Sequence, residues 1–326
     1  MATAAGPRGQ LTNLLLKDES AYGTAATGNY QQTLVYEENL VEMSPLEDDP
    51  ILGTARQNAR DMTQPVSGLR QGVTGNLVAP LDLNHSWFWL KGAFGAPVST
   101  GSNPDYQHVF TSGGEVLPHR TVEGKRTSDV FLQRTGCLVG GLSGEMSRRG
   151  GFDRLTVDIL GRKENNLAST GGGTPPAILA RDPLPAVLPV LKINTVAVAD
   201  IISLSWAYNN GATPQDYLGD PEGYPTGHDL DAPATFSGTI RARFRTDTHY
   251  DLARAGTSFA MELLWQKSSP RSLSIAAPLV RFDPVGLPVT GPGRIEATFN
   301  FRAEQSDVAA MLVVTLKSGL AAAAYV

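Results

Sequence analysis

Hydrophobic and polar residues alternate along several short stretches of this chain, and the alternation predicts strands. In "VSGLRQGVTGNLVAPLDL", Val73, Gly75, Leu77 and Ala79 share one face and Thr74, Asn76 and Val78 the other, a period near two. Leu155, Val157 and Ile159 alternate with Thr156 and Asp158 in the second arm of a hairpin within "GCLVGGLSGEMSRRGGFDRLTVDILGRKE". Phe236, Gly238, Ile240 and Ala242 alternate with Ser237, Thr239 and Arg241. "QTLVYEENLVEM", "YQHVFTS", "HRTVEG", "DIISLSWAYNNG", "SFAMELLWQK", "RSLSIAAPLVRFDP", "GRIEATFNFRAE" and "MLVVTLKSG" read as further strands. Helical spacing is rare. Trp87, Leu90 and Phe94 recur at helical intervals behind Asn84, a good N-cap, and Gly92 or Gly95 ends that turn. "DTHYDLARAG" predicts a second short helix, capped by Thr246 or Asp247 and closed by Gly256, with Tyr250 and Leu252 as its anchors.

The stretches between these elements divide the chain. Residues 1–30 are small and polar and read as an arm, with Leu14, Leu15 and Leu16 as one apolar knot. Two long polar loops, Ser44–Pro65 and Asn209–Pro233, each stand before a strand and a short helix. "NNLASTGGGTPP" is the clearest linker. The expected organisation is an arm (1–30), a first β module (31–164), a linker (165–188), a second β module (189–320) and a tail (321–326).

The two modules overlay. "TGNLVAPLDLNHSWFWLKGAFG" matches "SGTIRARFRTDTHYDLARAG" as a small residue and a glycine, a strand, a capping polar residue, an aromatic helix and a glycine stop. "GFDRLTVDILGRKE" matches "GPGRIEATFNFRAE" without a gap, so Gly151, Arg154, Arg162 and Glu164 fall on Gly291, Arg294, Arg302 and Glu304. Three features recurring in one order point to an internal duplication.

Composition fits this reading. At roughly 150 residues per domain, 326 residues suit two domains. The 34 glycines and 22 prolines imply many turns between short elements. A formal net charge of -5 argues against a general nucleic-acid-binding surface. One cysteine, Cys137, excludes an intrachain disulfide. The N-terminal residues lack the pattern of a secretory signal, and no apolar run approaches the ~18 residues of a membrane span. A soluble product made in a cytoplasm is expected.

The chemistry of catalysis is mostly missing from the pattern. The five histidines, His85, His108, His119, His228 and His249, make no familiar metal-ligand spacing. His85 reads as a first-turn helix residue. "HDLD", His228 to Asp231, lacks the glycine and distal glutamate of a calcium loop and reads as solvated. Cys137 reads as a small core residue, without a histidine partner to make it a nucleophile. "GLSGEMS" is no nucleophile elbow, because Glu145 stands where the last glycine is needed. Phosphate-binding glycine loops are absent as well. Arg241, Arg243 and Arg245 share one strand face by parity, which reads as a solvated or salt-bridged row or as an oligomer contact. The tryptophans suit a core or a subunit interface. No enzyme, cofactor or metal follows from the sequence.

The pieces "ESAYGTA", "PLEDDPILGTARQNARDMTQPVSGLRQGVTGNLVAPLDLNHSWFWLKGAFG" and "GCLVGGLSGEMSRRGGFDRLTVDILGRKE" resemble, in this order, the long-chain tail tube proteins of tailed bacteriophages. The likeness covers most of residues 15–320 and is strongest between Ser20 and Glu164. The resemblance implies a mainly β fold, here two tandem tail-tube-like β-sandwich or barrel modules, each with one short flanking helix. It implies a structural virion protein of the tail, assembled in the host cytoplasm. Such subunits close into rings, and stacked rings make a hollow tube through which double-stranded DNA passes. Expected partners are further copies of the chain, forming a ring of six tube domains from three duplicated chains, together with tail terminator, tape-measure and distal tail proteins. No membrane is involved. Inter-ring or inter-subunit contacts are expected at Leu14, Leu16, Tyr22, Glu47, Asp48, Asp49, Arg56, Arg60, Tyr217, Asp220, Arg241, Arg243 and Arg245, with "SGLAAAAYV" at the C-terminus as a further candidate. Trp87, Leu90, Phe94, Tyr250 and Leu252 are expected to anchor the helices. A predominantly negative lumen is expected, because each phosphate contact adds salt-sensitive affinity and DNA must slide. The competing reading is a carbohydrate- or receptor-binding β-sandwich of a phage tail or cell surface, presenting Trp and Tyr from its loops.

Overall fold

A computed structural model of the chain describes residues 8–49, 51, 64–244, 247–284, 286 and 295–325. The predicted alternation holds where strands have one dry and one wet face. In Thr235–Arg243, Phe236, Ile240 and Ala242 are buried while Ser237, Arg241 and Arg243 are exposed.

The first half carries β1 (Leu14–Asp18), β2 (Gln31–Thr33), β3 (Glu37–Glu38), β4 (Val41–Met43), β5 (Leu46–Asp48), β6 (Pro65–Ser67), β7 (Gly72–Pro80), α1 (Ser86–Phe94), β8 (Val98–Ser102), β9 (Asp105–Thr111), β10 (Arg120–Lys125), β11 (Phe131–Ser147), β12 (Arg154–Gly161) and β13 (Lys163–Leu167). The second half carries β14 (Pro189–Ile193), β15 (Val196–Ala197), β16 (Ile201–Asn209), β17 (Thr213–Gln215), β18 (Gly227–Asp229), β19 (Thr235–Arg243), α2 (Thr248–Ala255), β20 (Phe259–Ser268), β21 (Arg271–Phe282), β22 (Glu296–Glu304) and β23 (Val313–Ser318). The protein is mainly β, with these two α-helices among the described residues.

All the ladders are antiparallel, and the two halves use the same set. In the first, β1 pairs with β2 and β10, and β10 with β11. The opening part of β11 pairs with β13 and its later part with β12; β12 pairs with β7, and β7 with β3 and β4. In the second, β14 pairs with β15 and β20, and β20 with β21. The opening part of β21 pairs with β23 and its end with β22; β22 pairs with β19, and β19 with β16. Even the hairpin before each long strand recurs, as β5–β6 and β17–β18. The registers differ from the gapless sequence overlay by one detail. Gly75 lies opposite Ile159, and Gly238 lies opposite Phe301 rather than Phe299. A slip of two keeps every side chain on its face, so periodicity could not reveal it.

The halves join in two places. Gly141–Ser147 of β11 pairs with Ser203–Asn209 of β16, which makes one central sheet across both halves. The β8–β9 hairpin leaves the first half and adds to β23 of the second. Most of the buried apolar residues form one continuous cluster spanning both halves.

Two segments assigned to flexible chain are packed instead. Leu14 and Leu16 are core residues of β1, not an exposed knot. In the stretch 165–188, Leu184 is buried, accepts from the Asp153 amide and donates to the Leu81 carbonyl. The tail docks as well. Tyr325 is buried, with its ring stacked on Trp87 at 4.4 Å.

The start of α1 is capped by Asp82, not Asn84. The Asp82 carboxylate accepts from the amides of Asn84 at 2.8 Å and His85 at 3.1 Å. The Asn84 side chain turns to the linker and donates to the Ala180 carbonyl, and His85 Nε2 donates to the Leu179 carbonyl. Gly92 sits inside α1 rather than ending it, because a Cβ there would meet Val139 Cγ2 at 2.5 Å. Beside it, buried Arg120 donates to Asp18 at 2.7 Å and to the Phe88 carbonyl, and Lys91 reaches the same carboxylate at 2.6 Å. Burial pushes the Asp18 carboxyl up, but the Arg120 and Lys91 charges overcome it and hold it below the usual range. At the other helix, Gly256 is left-handed; its amide and that of Thr257 close on Ala253 and Leu252 in a Schellman turn. Arg120→Ala leaves Asp18 to Lys91 alone and frees the buried Phe88 carbonyl. It is expected to lower stability by about 2 kcal/mol, seen as a lower urea midpoint at unchanged m value.

Candidate assembly surfaces

One face of the central sheet packs on the core and the other is polar. Thr74 and Asn76 on β7, Thr156 and Asp158 on β12, Ser205 on β16 and Ser237 on β19 all point away from the core. A shallow cavity of about 550 Å³ lies on this face, lined by residues such as Ser143, Glu145, Arg154, Thr156, Ser205 and Ser237. Its arginines lie beside acids. Arg241 Nε is 2.9 Å from Glu296, Arg281 Nε is 2.9 Å from Glu304, Arg154 is 3.8 Å from Glu37 and Arg302 is 4.0 Å from Asp283. These exposed pairs contribute about 0–1 kcal/mol each, and in the row of arginines Arg241 is the one with such a pair among the described residues. Arg243 lies on the same exposed face at the end of β19.

The sheet ends at β3 and β4, which pair on one side with β7. Beyond them the β5–β6 hairpin carries Glu47 and Asp48 exposed, with Asp49 half-buried beside it. Arg56, Arg60 and Arg245 lie outside the described residues.

The second long loop is a strap across the junction of the halves. It leaves β16, turns through β17–β18 and lies on the first half. Arg162 donates to Asp220, Lys163 Nζ reaches Glu222 at 2.8 Å, and the Tyr224 hydroxyl donates to Glu42 at 2.6 Å. The Arg70 guanidinium covers the Tyr224 ring at 4.7 Å. Tyr22 donates to the Pro225 carbonyl, and its ring meets the edges of His119 and His228 at 4.9 and 5.5 Å. His119 and His228 stack at 5.5 Å. The stretch from His228 to Asp231 is therefore not a solvated loop at its start, because the His228 ring nitrogens are buried. Tyr217 on the same strap stays exposed.

Burial sets the electrostatics of this junction. It lowers His228 to about 4, helped by the neighbouring His119, and lowers His119 too. Burial raises Glu19, which accepts from the amides of Gly23 and Gly136 and from Thr121 Oγ1. The hydrogen bond from Arg162 holds Asp220 below the usual carboxylate range, and Lys163 does the same for Glu222. Cys137 is buried, and burial pushes its thiol up, away from nucleophilic use. Among the described residues no three His, Cys, Asp or Glu side chains are placed to share a metal ion. No helix among them is long and apolar enough to cross a membrane.

Of the expected contact residues, Tyr22 and Asp220 are engaged inside one chain, Tyr22 with Pro225 and His228 and Asp220 with Arg162. Leu14 and Leu16 are buried, and Glu47, Asp48, Tyr217, Arg241 and Arg243 are at the surface. Trp87, Leu90 and Phe94 are buried, and Phe94 packs on Tyr208 with ring centres 4.6 Å apart. Leu252 is partly buried against the core and Tyr250 meets Phe244 edge-on. His119, His228 and Arg162 carry no sign of this junction in the sequence pattern. Their partners lie far along the chain, and no local spacing marks them.

The sequence matches the family described as phage tail tube protein over residues 9–303. The chain belongs to that family. It is a structural protein of a phage tail, and its place is the virion tail. No curated protein matches the chain.

A pH dependence follows from the strap. In the unfolded chain a histidine takes its proton at about 6.5, whereas folded His228 stays neutral down to about 4. Between these values the unfolded state binds more protons, so stability rises with pH there. The contribution of buried neutral His228 is complete above about 6.5 and is lost as pH falls toward 4. Glu19, raised by burial, acts in the opposite sense above the ordinary glutamate range. Hydrogen exchange of residues 209–233 between pH 7 and 4.5 is expected to show the loss, about 2 kcal/mol. His228→Phe is expected to flatten it.

Proposed function

We propose that this protein is the duplicated subunit of a tail tube, three copies of which close a ring of six tube modules that stacks into a hollow conduit for DNA. The observation that carries this reading is the junction between β11 and β16. It joins a first module to a second by backbone pairing, head to tail. At one end of the central sheet β3 and β4 pair with β7 on one side, and at the other β21, the counterpart of β11, follows β22 and is also paired with β20 and β23. Unpaired edges invite pairing with another chain, and a head-to-tail contact that closes makes a ring.

The repeated ladders support a duplication of the module. So do Gly75 and Gly238. An added Cβ at Gly75 would lie 2.0 Å from the Asn39 carbonyl oxygen, and one at Gly238 would lie 2.1 Å from that of Ser205. Both glycines let the preceding strand approach at the same place.

The polar face of the central sheet is the side we assign to the lumen, and the core, the second layer of strands and α1 lie behind it. A predominantly negative lumen is expected from the sequence, and the face assigned here carries arginines as well as acids. Arg154, Arg241, Arg281 and Arg302 each stand beside a carboxylate, Arg243 is exposed on the same face, and hydroxyl and amide side chains fill the rest. A surface of neutralised pairs offers little to hold phosphates. The work is structural, with no reaction to catalyse. Tail terminator, tape-measure and distal tail proteins would meet the ends and interior of the tube, after assembly in the host cytoplasm. A sugar-binding role is less well supported. Trp87, Trp89, Trp206 and Trp265 are all buried, so no tryptophan platform is available to a glycan.

Cryo-electron microscopy of the purified protein tests the reading. Rings of three chains with pseudo-sixfold symmetry are expected. Six chains per ring would sink the duplicated ring, and a persistent single chain would sink ring assembly itself. Assembled tubes are expected not to retain double-stranded DNA at 150 mM salt, about the physiological value, in a co-sedimentation assay.

A further inference from the structure

Inside the chain, the junction of the two halves has two parts, the β11–β16 ladder and the strap that lies over it. Besides its contact with Tyr22 and His119, the strap rests on three places of the first half that have counterparts in the second. With Gly75 placed on Gly238, Val73 falls on Phe236. Their partners across the ladders are Glu42 and Tyr208, so Tyr208 stands where Glu42 receives the Tyr224 hydroxyl. Arg70, which covers Tyr224, precedes β7 by the same interval at which Pro233 precedes β19. Arg162 and Lys163, which hold the strap's acids, follow β12, as Gln305 to Met311 follow β22. In the first half these places are covered. In the second, Tyr208, Pro233, Gln305, Ala310 and Met311 line an open groove of about 800 Å³ that also borders residues 112–117 of the first half.

The element equivalent to the strap is the β5–β6 hairpin. Val66 lies opposite Glu47, just as His228 lies opposite Pro214, so Val66 holds the register place of the buried His228. Yet Val66 is 45% exposed, and Leu69, two residues past the hairpin, is 59% exposed. A hairpin with exposed apolar residues thus stands uncovered at one end of the molecule, and an open counterpart of the places that the strap covers stands at the other.

We propose that the β5–β6 hairpin of one copy seats in the groove on the second half of the next, with Val66 as its anchor. The occupant is a second copy of this chain, because the intramolecular strap already shows how this hairpin type docks on this module type. The contact is lateral, between neighbours around a ring, and it rests on the ring assembly proposed above. It supplies the side-chain half of a junction whose backbone half is edge pairing at β3 and β4.

Two variants mixed together test it. Val66→Asp spoils the hairpin and leaves the groove intact; Ala310→Trp fills the groove and leaves the hairpin intact. Each alone is expected to sediment as a single chain at concentrations where the unaltered protein forms rings. Mixed in equal amounts, they retain one good hairpin and one good groove per pair. They are expected to form a two-chain species that grows no further. Gln305→Trp, at an exposed groove position, replaces Ala310→Trp if that variant loses its cooperative thermal transition. Ring formation by both variants, or a mixture that stays single, would overturn the docking while leaving ring assembly standing. Failure of the unaltered protein to assemble would overturn both.

Discussion

Backbone hydrogen bonding along β11 is the constraint on which the rest of the structure depends. Its 17 residues join two sheets and take partners from both halves of the chain. The first part lies between β10 and β13, and the later part between β12 and β16. A strand can change neighbours only by bending, and the register shift between Val139 and Gly141 marks the bend. Gly136 has a φ of 66°, and a Cβ there would lie 2.9 Å from both Tyr22 and Arg162. The arm, the core sheet and the strap converge on that point. Moving β11 would unpair every layer of the first half and cut it from the second.

A repeated module with head-to-tail contacts needs fewer encounters to assemble. On the ring reading, half of the six junctions are made while the chain folds. There the partner strands are tethered and their effective concentration is high. The remaining three form between chains. The intramolecular junction is also the one that can specialise. Its strap carries ion pairs to Arg162 and Lys163 and a stacked pair of neutral histidines. The counterpart hairpin carries exposed aliphatic residues and acids. Permanent contact tolerates buried polar groups that hold one another in place. A contact made after folding must leave each partner soluble beforehand.

The segments between elements carry more of the architecture than their composition suggests. The linker passes the capping turn of α1, where Asp82, Asn84 and His85 all bond its backbone. Asp153, on the neighbouring turn, accepts from the Trp265 indole at 2.6 Å. That bond ties the second half to the first behind the sheet. The tail closes the same region through Tyr325 on Trp87. The aromatic helix, the linker and the tail therefore form one packed unit.

The sequence by itself determined which short segments become strands, which residues face the core, and where two helices stand. Periods of two and of 3.6 are local properties of a few residues, and they survive into the structure in β7, β12, β19 and α1. It also carried the matched glycines at 75 and 238 and the parity of Arg241 and Arg243. Only the tertiary structure decided the rest. A two-residue slip between the overlaid halves leaves every face unchanged and so is silent in periodicity. Asp82 caps α1 in place of Asn84 because the linker backbone claims the asparagine side chain. His228 finds His119 more than a hundred positions away, and β9 finds β23 about two hundred away. Such pairings are settled by which buried groups can satisfy one another once the sheets close, and no short window of sequence records that.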